Sequence, residues 1–389
     1  MTVGTSPGGT QVPLCVPIRP GPGVDAEELR GWAARKMMYE DARWVYDIVG
    51  SAGVSSDLTA FAGLFLSHQF VRVAYEGATA LRSSNPHVGI PEFAAGLSDQ
   101  YAAVSARYRH ATKLLDDNSK TLTEVLAELR AEIELHRQAF TGKTRRWLRW
   151  AETDLGLYLH GDDLLGATVP ASFRLGLDVG GQTKHKTGED LSAVTEECGG
   201  TLAYMCGATF VPDDPAPALD LRTVRIRSRD CRTDRYLAGK FEAKFPLELK
   251  MLLLLIEGDL NTSRLILPAT SSGHRDAVLR AQTVTLIHSL TALQRIASMT
   301  GTTSSPGLIR LGELLDSPPV SRLTSPMGLL VRNRFVHYEM NDPRILPDLT
   351  KPLCGLVQQV FPGQTWQSLS RDVTDVTERA ANLISHWSP

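Results

Sequence analysis

The chain lacks the features of a disulfide-rich secreted protein and of a membrane protein. It has five cysteines in 389 residues, none in a C-x-x-C pair, and this number and spread make a poor disulfide framework. The first residues are rich in Gly and Pro, without the basic start and apolar stretch of a signal peptide. The longest apolar run, at 251–256, is far too short to cross a bilayer. We therefore expect a cytoplasmic protein with reduced thiols and no membrane partner.

An excess of charge of one sign is also missing. The formal net charge is -2, so any surface that attracts nucleic acid must be local rather than global. Metal-ligand spacings are missing as well, because Asp162 and Asp163, with His160 and His185, fit no known ligand pattern. We expect neither a metal nor another cofactor.

Composition and apolar periodicity divide the chain into four segments and predict a mainly α fold. Residues 1–24 are so rich in Pro and Gly that we expect a disordered tail. Residues 25–155 show helical periodicity and predict an N-terminal helical domain. Residues 156–240 combine frequent glycines with β-forming residues, which indicates a small mixed α/β or β-rich segment. Residues 241–389 are helical again and predict a bundle of four to five helices.

The same patterns place individual elements within these segments. Stripes of apolar residues at helical spacing, bounded by caps and prolines, mark the candidate helices. These lie at 58–81, 97–115, 122–150, 247–267, 271–299, 309–315, 327–340 and 366–387. Runs rich in β-branched and aromatic residues mark the candidate strands, which lie at 201–211, 221–226 and 236–241.

The clearest local basic ridge is predicted in the mixed segment. If residues 223–229 form a strand, alternation puts Arg225, Arg227 and Arg229 on one face of it. We interpret these arginines as candidate substrate-binding residues. The alternative is a solvated edge strand whose charges prevent aggregation.

A second basic cluster closes the predicted helix 122–150, and its members are Lys143, Arg145, Arg146 and Arg149. Basic residues in a last helical turn match the negative end of the helix dipole. We prefer that explanation to a contact with RNA.

The residues best suited to catalysis lie on the predicted helix 327–340. Three residues at helical spacing predict the stripe that packs on other helices: Val331, Phe335 and Tyr338. Asn333 and His337 are four residues apart and share a second face. Arg332 lies about 100° round the helix from Asn333, and its long side chain can reach the space above both. The helix would then present a cation, an amide and an imidazole to one neighbourhood.

The segment Arg332-Asn333-x-x-x-His337 resembles the R-x4-6-H motif of HEPN domains, with Asn in its most common second position. The surrounding pattern is also similar, with two long helices before the motif helix and one after it. The resemblance covers about residues 241–389. It implies a homodimer that sets two motif helices face to face and, as in many family members, a metal-independent endoribonuclease.

The resemblance implies a role for each motif residue. His337 would be the general base or acid at the ribose 2′-OH or the leaving 5′-oxygen, because imidazole titrates near neutral pH. Arg332 would stabilise charge on the phosphate, and Asn333 would orient the histidine or the phosphate. Arg334 is a further candidate contact to RNA, unless it is simply solvated. The expected product is a 2′,3′-cyclic phosphate.

Three functions are open at this point. The first is a ribonuclease of the toxin or anti-phage-defence type, with the N-terminal parts sensing a trigger or restraining the nuclease. The second is a non-catalytic HEPN-like module for dimerisation or nucleotide or RNA binding, in which Arg332 and His337 are buried in mutual hydrogen bonds. The third is a helical enzyme acting on a small molecule, which needs a pocket between the N-terminal helices.

Overall fold

The computed structural model describes residues 23–52, 61–90, 120–143, 146–175, 196, 198–207, 219, 221, 224–302, 305–340 and 342–387. Over these residues the protein is mainly helical with one small antiparallel sheet, as the sequence predicts. The predicted helix 97–115 and nearly all of the predicted tail 1–24 lie outside the described residues.

In the N-terminal part, the described residues form three helices. They are α1 (Ala26–Ala52), α2 (Ser67–Leu81), which follows a π-helical turn at Ala62–Leu66, and α3 (Leu122–Phe140). Asp25 starts α1 by accepting the backbone N–H groups of Glu27 and Glu28 at 2.9 and 2.8 Å, as an N-cap residue does. Thr121 and Glu124 start α3 with a capping box.

The predicted helix 122–150 is wrong beyond its nineteenth residue. The helix ends at Phe140, and Gly142 then takes a left-handed φ of 73° that turns the chain away. A separate 3-10 helix, Arg146–Ala151, carries the end of the predicted basic cluster. The cluster therefore does not lie in the last turn of α3.

The sheet has three antiparallel strands in the order β2–β1–β3. Strands β1 (Leu155–His160) and β2 (Asp163–Ala167) form a hairpin, and β3 (Arg227–Cys231) pairs with the other edge of β1. Gly161 has a φ of 61°, which permits the tight turn of the hairpin.

The predicted elements of the middle segment are largely wrong. Residues 198–207 are helical although 201–211 is rich in β-forming residues, and α5 (Thr233–Ala238) replaces the predicted strand 236–241. The predicted strand 221–226 is shifted, because β3 begins at Arg227. Strand propensity depends on the packing partner more than on the residue. A further helix, α4 (Thr168–Leu175), follows β2 directly.

The C-terminal part is helical, as predicted. Its long helices are α6 (Leu247–Asn261), α7 (Arg275–Thr300) and α12 (Trp366–Ser385). A π-helical turn (Thr262–Ile266) and a 3-10 turn (Leu267–Thr270) prolong α6. Shorter elements lie between α7 and α12: α8 (Pro306–Leu315), α9 (Pro318–Leu323), α10 (Pro326–His337), a 3-10 turn (Pro352–Gly355) and α11 (Leu356–Val360).

The N-terminal, middle and C-terminal parts share one hydrophobic core. Helix α7 contacts α1, α6 and α10, and the indole of Trp44 donates to Thr270 Oγ1 at 2.8 Å. Asn261 and Thr262 at the end of α6 donate to carbonyl oxygens of β2, each at 2.9 Å. Buried residues on both sides of positions 155 and 240 belong to this core. In the described ranges no helix is both long and apolar enough to span a membrane.

Candidate acid–base site

Helix α10 brings His337 to the surface of the core. Ser325 caps its start by accepting the N–H of Gly328 at 3.2 Å, and Pro326 occupies the first turn. The helix ends at His337, earlier than the predicted Met340, because Tyr338 takes a left-handed φ of 54°. The predicted packing stripe is confirmed, since Val331, Phe335 and Tyr338 are all buried.

His337 forms a close pair with a carboxylate from α2. Its Nδ1 lies 2.6 Å from Oε2 of Glu76. Beside an ionised Glu76, which can only accept, a neutral imidazole must carry its proton on Nδ1, and Nε2 is then the nitrogen without a proton. The Glu76 side chain is 3% exposed, whereas that of His337 is 27% exposed. The pair is therefore a fixed carboxylate that orients a reachable imidazole, the arrangement of general acid–base sites.

The pair lies at a cavity of about 480 Å³. The walls come from α1, α2, the loop after α2 and the chain after α10, and the polar or charged residues among them are Glu27, Arg30, Glu76, Thr79, Ser83, Asn85, His337 and Glu339. Three carboxylates and one arginine line it, so the cavity carries an excess of negative charge.

A network of buried charged residues contacts the end of α10. Asp41 is fully buried and accepts from Arg280 Nε at 2.9 Å and Nη2 at 2.7 Å. The phenol of Tyr338 donates to the other Asp41 oxygen at 3.0 Å, and Arg72 Nη1 lies 3.4 Å from the carbonyl oxygen of Phe335. Burial, with Asp41 beside it, raises the pKa of Tyr338 well above its usual value, so the phenol stays a donor.

The three motif residues are not gathered in the expected way. Arg332 is about 140° round the helix from His337 and only about 40° from the buried Val336. Asn333 is on the His337 side of the helix. Both Arg332 and Asn333 are half-buried, and within the described chain neither lines the cavity.

Arg334 is not solvated. It is 7% exposed, and its Nη2 lies 3.2 Å from Oδ2 of Asp342. Burial lowers the pKa of Arg334, although Asp342 opposes that effect. An RNA phosphate would have to compete with Asp342 for this guanidinium.

The predicted basic ridge is exposed but does not belong to this cavity. Arg225 precedes the strand, while Arg227 and Arg229 lie on β3, and all three are exposed. Arg227 Nη2 is 3.2 Å from the carbonyl oxygen of Gly161 and 3.7 Å from Asp162. Because β3 is an edge strand of the sheet, these charges also suit the alternative of edge protection.

Sequence reasoning missed Glu76 and Arg30. A signal for Glu76 was present, because Gln69, Arg72 and Glu76 are polar residues at core spacing on an otherwise apolar helix, and all three are buried. Buried polar residues need partners. Arg30 had no such signal, since its place at the cavity depends on how α1 docks.

Comparisons with known proteins found no relative of this chain. No protein-family model matches the chain, and no curated protein or solved structure is significantly similar to it. Among the described residues, no group of three or more His, Cys, Asp or Glu is placed to hold a metal ion.

Proposed function

We propose that the protein is a metal-independent endoribonuclease of the HEPN type whose reacting group is His337. The observation that carries this proposal is the 2.6 Å pair of His337 with the buried Glu76 at the edge of a cavity. A histidine oriented by a carboxylate can move a proton in both directions at neutral pH.

The reaction would be an internal transfer within RNA. Nε2 of His337 takes the proton of a ribose 2′-OH, the 2′-oxygen attacks the neighbouring phosphorus, and the bond from phosphorus to the 5′-oxygen breaks. The proton taken up by His337 is returned to the departing 5′-oxygen, so the products are a 2′,3′-cyclic phosphate and a 5′-hydroxyl, and the histidine ends as it began. We assign the phosphate contact to Arg30, the arginine that lines the cavity, and not to Arg332.

A homodimer through α10 belongs to the same proposal. Met327 and Leu330 are 42% and 39% exposed, and by helical phase they lie about 80° and about 20° round α10 from His337. Exposed apolar residues beside a site often mark an interface. Light scattering after gel filtration tests this: Leu330→Glu should yield a monomer, and a wild type that is already monomeric contradicts the dimer. A role in a toxin or anti-phage-defence system is the setting that we propose for such an activity.

The decisive experiment is RNA cleavage in EDTA by the full chain. Wild type, His337→Ala and the control His386→Ala are incubated with total tRNA and with a mixed single-stranded RNA pool. We expect wild type and His386→Ala to cleave, leaving cyclic-phosphate ends, and His337→Ala to be inert. Equal cleavage by His337→Ala, or no cleavage by wild type, would remove the proposal.

An enzyme acting on a small molecule is the second candidate. Its supporting observation is the cavity itself, which lies against the N-terminal helices α1 and α2 and has three carboxylates to one arginine. Carboxylates in the lining can accept hydrogen bonds from hydroxyl groups and attract amines. Thermal-shift screening with polyols and polyamines tests it, and stabilisation that disappears in Glu27→Gln and Glu339→Gln would support it.

A further inference from the structure

A second groove, away from the His337 cavity, combines the exposed Trp150 with arginines, and the exposed Trp147 lies just outside its lining on the same 3-10 helix. It has a volume of about 520 Å³, and its lining includes Trp150, Glu152, Arg229, Arg232, Arg235 and Tyr236. These residues come from the 3-10 helix Arg146–Ala151, from the edge strand β3 and from α5. Within the described chain no residue of this groove lines the His337 cavity.

The two tryptophans of the 3-10 helix, Trp147 and Trp150, are three residues apart and both exposed. Trp147 and Trp150 are 67% and 66% exposed. A 3-10 helix has three residues per turn, so side chains three apart lie above one another. Exposure of two neighbouring indole side chains to water costs free energy, and a bound partner that covers them removes this cost.

The charge of the groove is positive. Three arginines face one glutamate, and Glu152 already accepts the backbone N–H of Gly142 at 2.8 Å. Arg232 is paired with Asp234. Arg229 and Arg235 are exposed, and among the described residues neither forms an ion pair. Burial raises the pKa of the Cys231 thiol to about 11, so no thiolate opposes an anion here.

We propose that this groove binds a single-stranded nucleic acid, with bases stacked on Trp147 and Trp150 and phosphates held by Arg229 and Arg235. Aromatic platforms beside free cations are how proteins hold single strands without reading their sequence. An acidic peptide would satisfy the arginines but would give the paired indoles no stacking partner. The groove would hold the substrate of the proposed ribonuclease, yet its evidence does not depend on that reaction.

The test is binding of labelled twelve-nucleotide oligo-U and oligo-dT by the full-length His337→Ala protein, followed by fluorescence anisotropy at several salt concentrations. Oligo-U and oligo-dT separate an RNA site from a general single-strand site. We expect Trp147→Ala and Trp150→Ala each to weaken binding by about tenfold, since stacking contributes roughly 1–3 kcal/mol per base. Arg229→Ala and Arg235→Ala should each lower the slope of log affinity against log salt by about 0.7.

Two variants provide matched controls. Tyr46→Ala removes another exposed aromatic residue and Arg371→Ala another exposed arginine, and neither should change the affinity. Absence of binding at low salt, or binding that the tryptophan variants leave unchanged, would overturn the proposal. A poly-Glu peptide that displaces the oligonucleotide and binds the tryptophan variants equally well would assign the groove to an acidic peptide instead. If the protein binds the oligonucleotide but wild type does not cleave RNA, only the proposed reaction is contradicted.

Discussion

Glu76 and His337 are 261 residues apart in sequence and 2.6 Å apart in space. The carboxylate contacts Nδ1 of the imidazole, so Nε2 is the nitrogen that the proposed reaction would use. An amide at the same place can present its NH2 group to the ring and select the wrong tautomer.

Glu76→Gln is therefore expected to impair the reaction without impairing binding. We predict a fall in kcat of about 10²–10⁴, the range that general acid–base catalysis contributes, with a small change in KM. Steady-state kinetics on the cleaved RNA measures both. If Glu76→Gln keeps the wild-type kcat, the carboxylate only fills space and the pair is not a catalytic unit.

Arg30 and Arg332 are predicted to have opposite effects. Arg30 lines the cavity, so Arg30→Ala should lower kcat/KM by about tenfold or more, as expected for the loss of a hydrogen bond to a charged group. Arg332 lies on the inner side of α10, so Arg332→Ala should lower the melting temperature and leave kcat/KM of the folded protein nearly unchanged. The reverse result would support the placement that the HEPN resemblance implies.

The sequence predicted the helical parts better than the site. Long periodic stretches such as those that form α6, α7 and α12 carry their own signal, because an apolar stripe needs only a partner surface. The hairpin of β1 and β2 was missed, and β3 was placed too early, because short strands are selected by packing. The motif pointed to His337, which lines the cavity, and to Arg332, which does not line it. Glu76 was missed because it pairs with a residue in a distant part of the chain.

The buried Asp41 is predicted to be essential for stability. Asp41→Ala would remove the fully buried one of the two carboxylates that pair with Arg280, leaving only Glu40 at 2.9 Å, and would leave Tyr338 without its acceptor. Removing one partner of a buried ion pair costs about 3–5 kcal/mol. Urea unfolding measures the free energy of unfolding. The control is Asp375→Ala, an exposed residue of α12, which should change it by less than about 0.5 kcal/mol.

Gly328 is predicted to tolerate no side chain. A Cβ atom there would lie 2.0 Å from the carbonyl oxygen of Leu323, so Gly328→Ala must push the start of α10 away from α9. We expect a loss of about 1–3 kcal/mol, as for other overpacked sites, and a weaker reaction at His337. Gly239→Ala is the matched control, because a Cβ there meets nothing within 4 Å. Thermal melts of both variants provide the test. If Gly328→Ala melts at the same temperature as Gly239→Ala and wild type, the prediction is contradicted.

Acidification is predicted to destabilise the fold partly through His68. Burial, together with the nearby Arg174, lowers the pKa of His68 to about 3. An unfolded histidine titrates near pH 6.5, so between pH 6.5 and pH 3 only the unfolded state takes up this proton. The free energy of unfolding must then fall as the pH falls through that window. Chemical unfolding at several pH values should show a shallower fall for His68→Gln than for wild type, and parallel curves would contradict the assignment.

The shared core limits what recombination can transfer from this chain to another protein. The motif helix supplies the histidine, α2 supplies the carboxylate, and α1 supplies Asp41 and Arg30. A segment covering residues 241–389, moved into another protein, would carry the recognisable motif and leave behind the groups that orient and support it. The C-terminal third thus carries His337 without Glu76 and Asp41, the buried carboxylates that hold it and the residue after it.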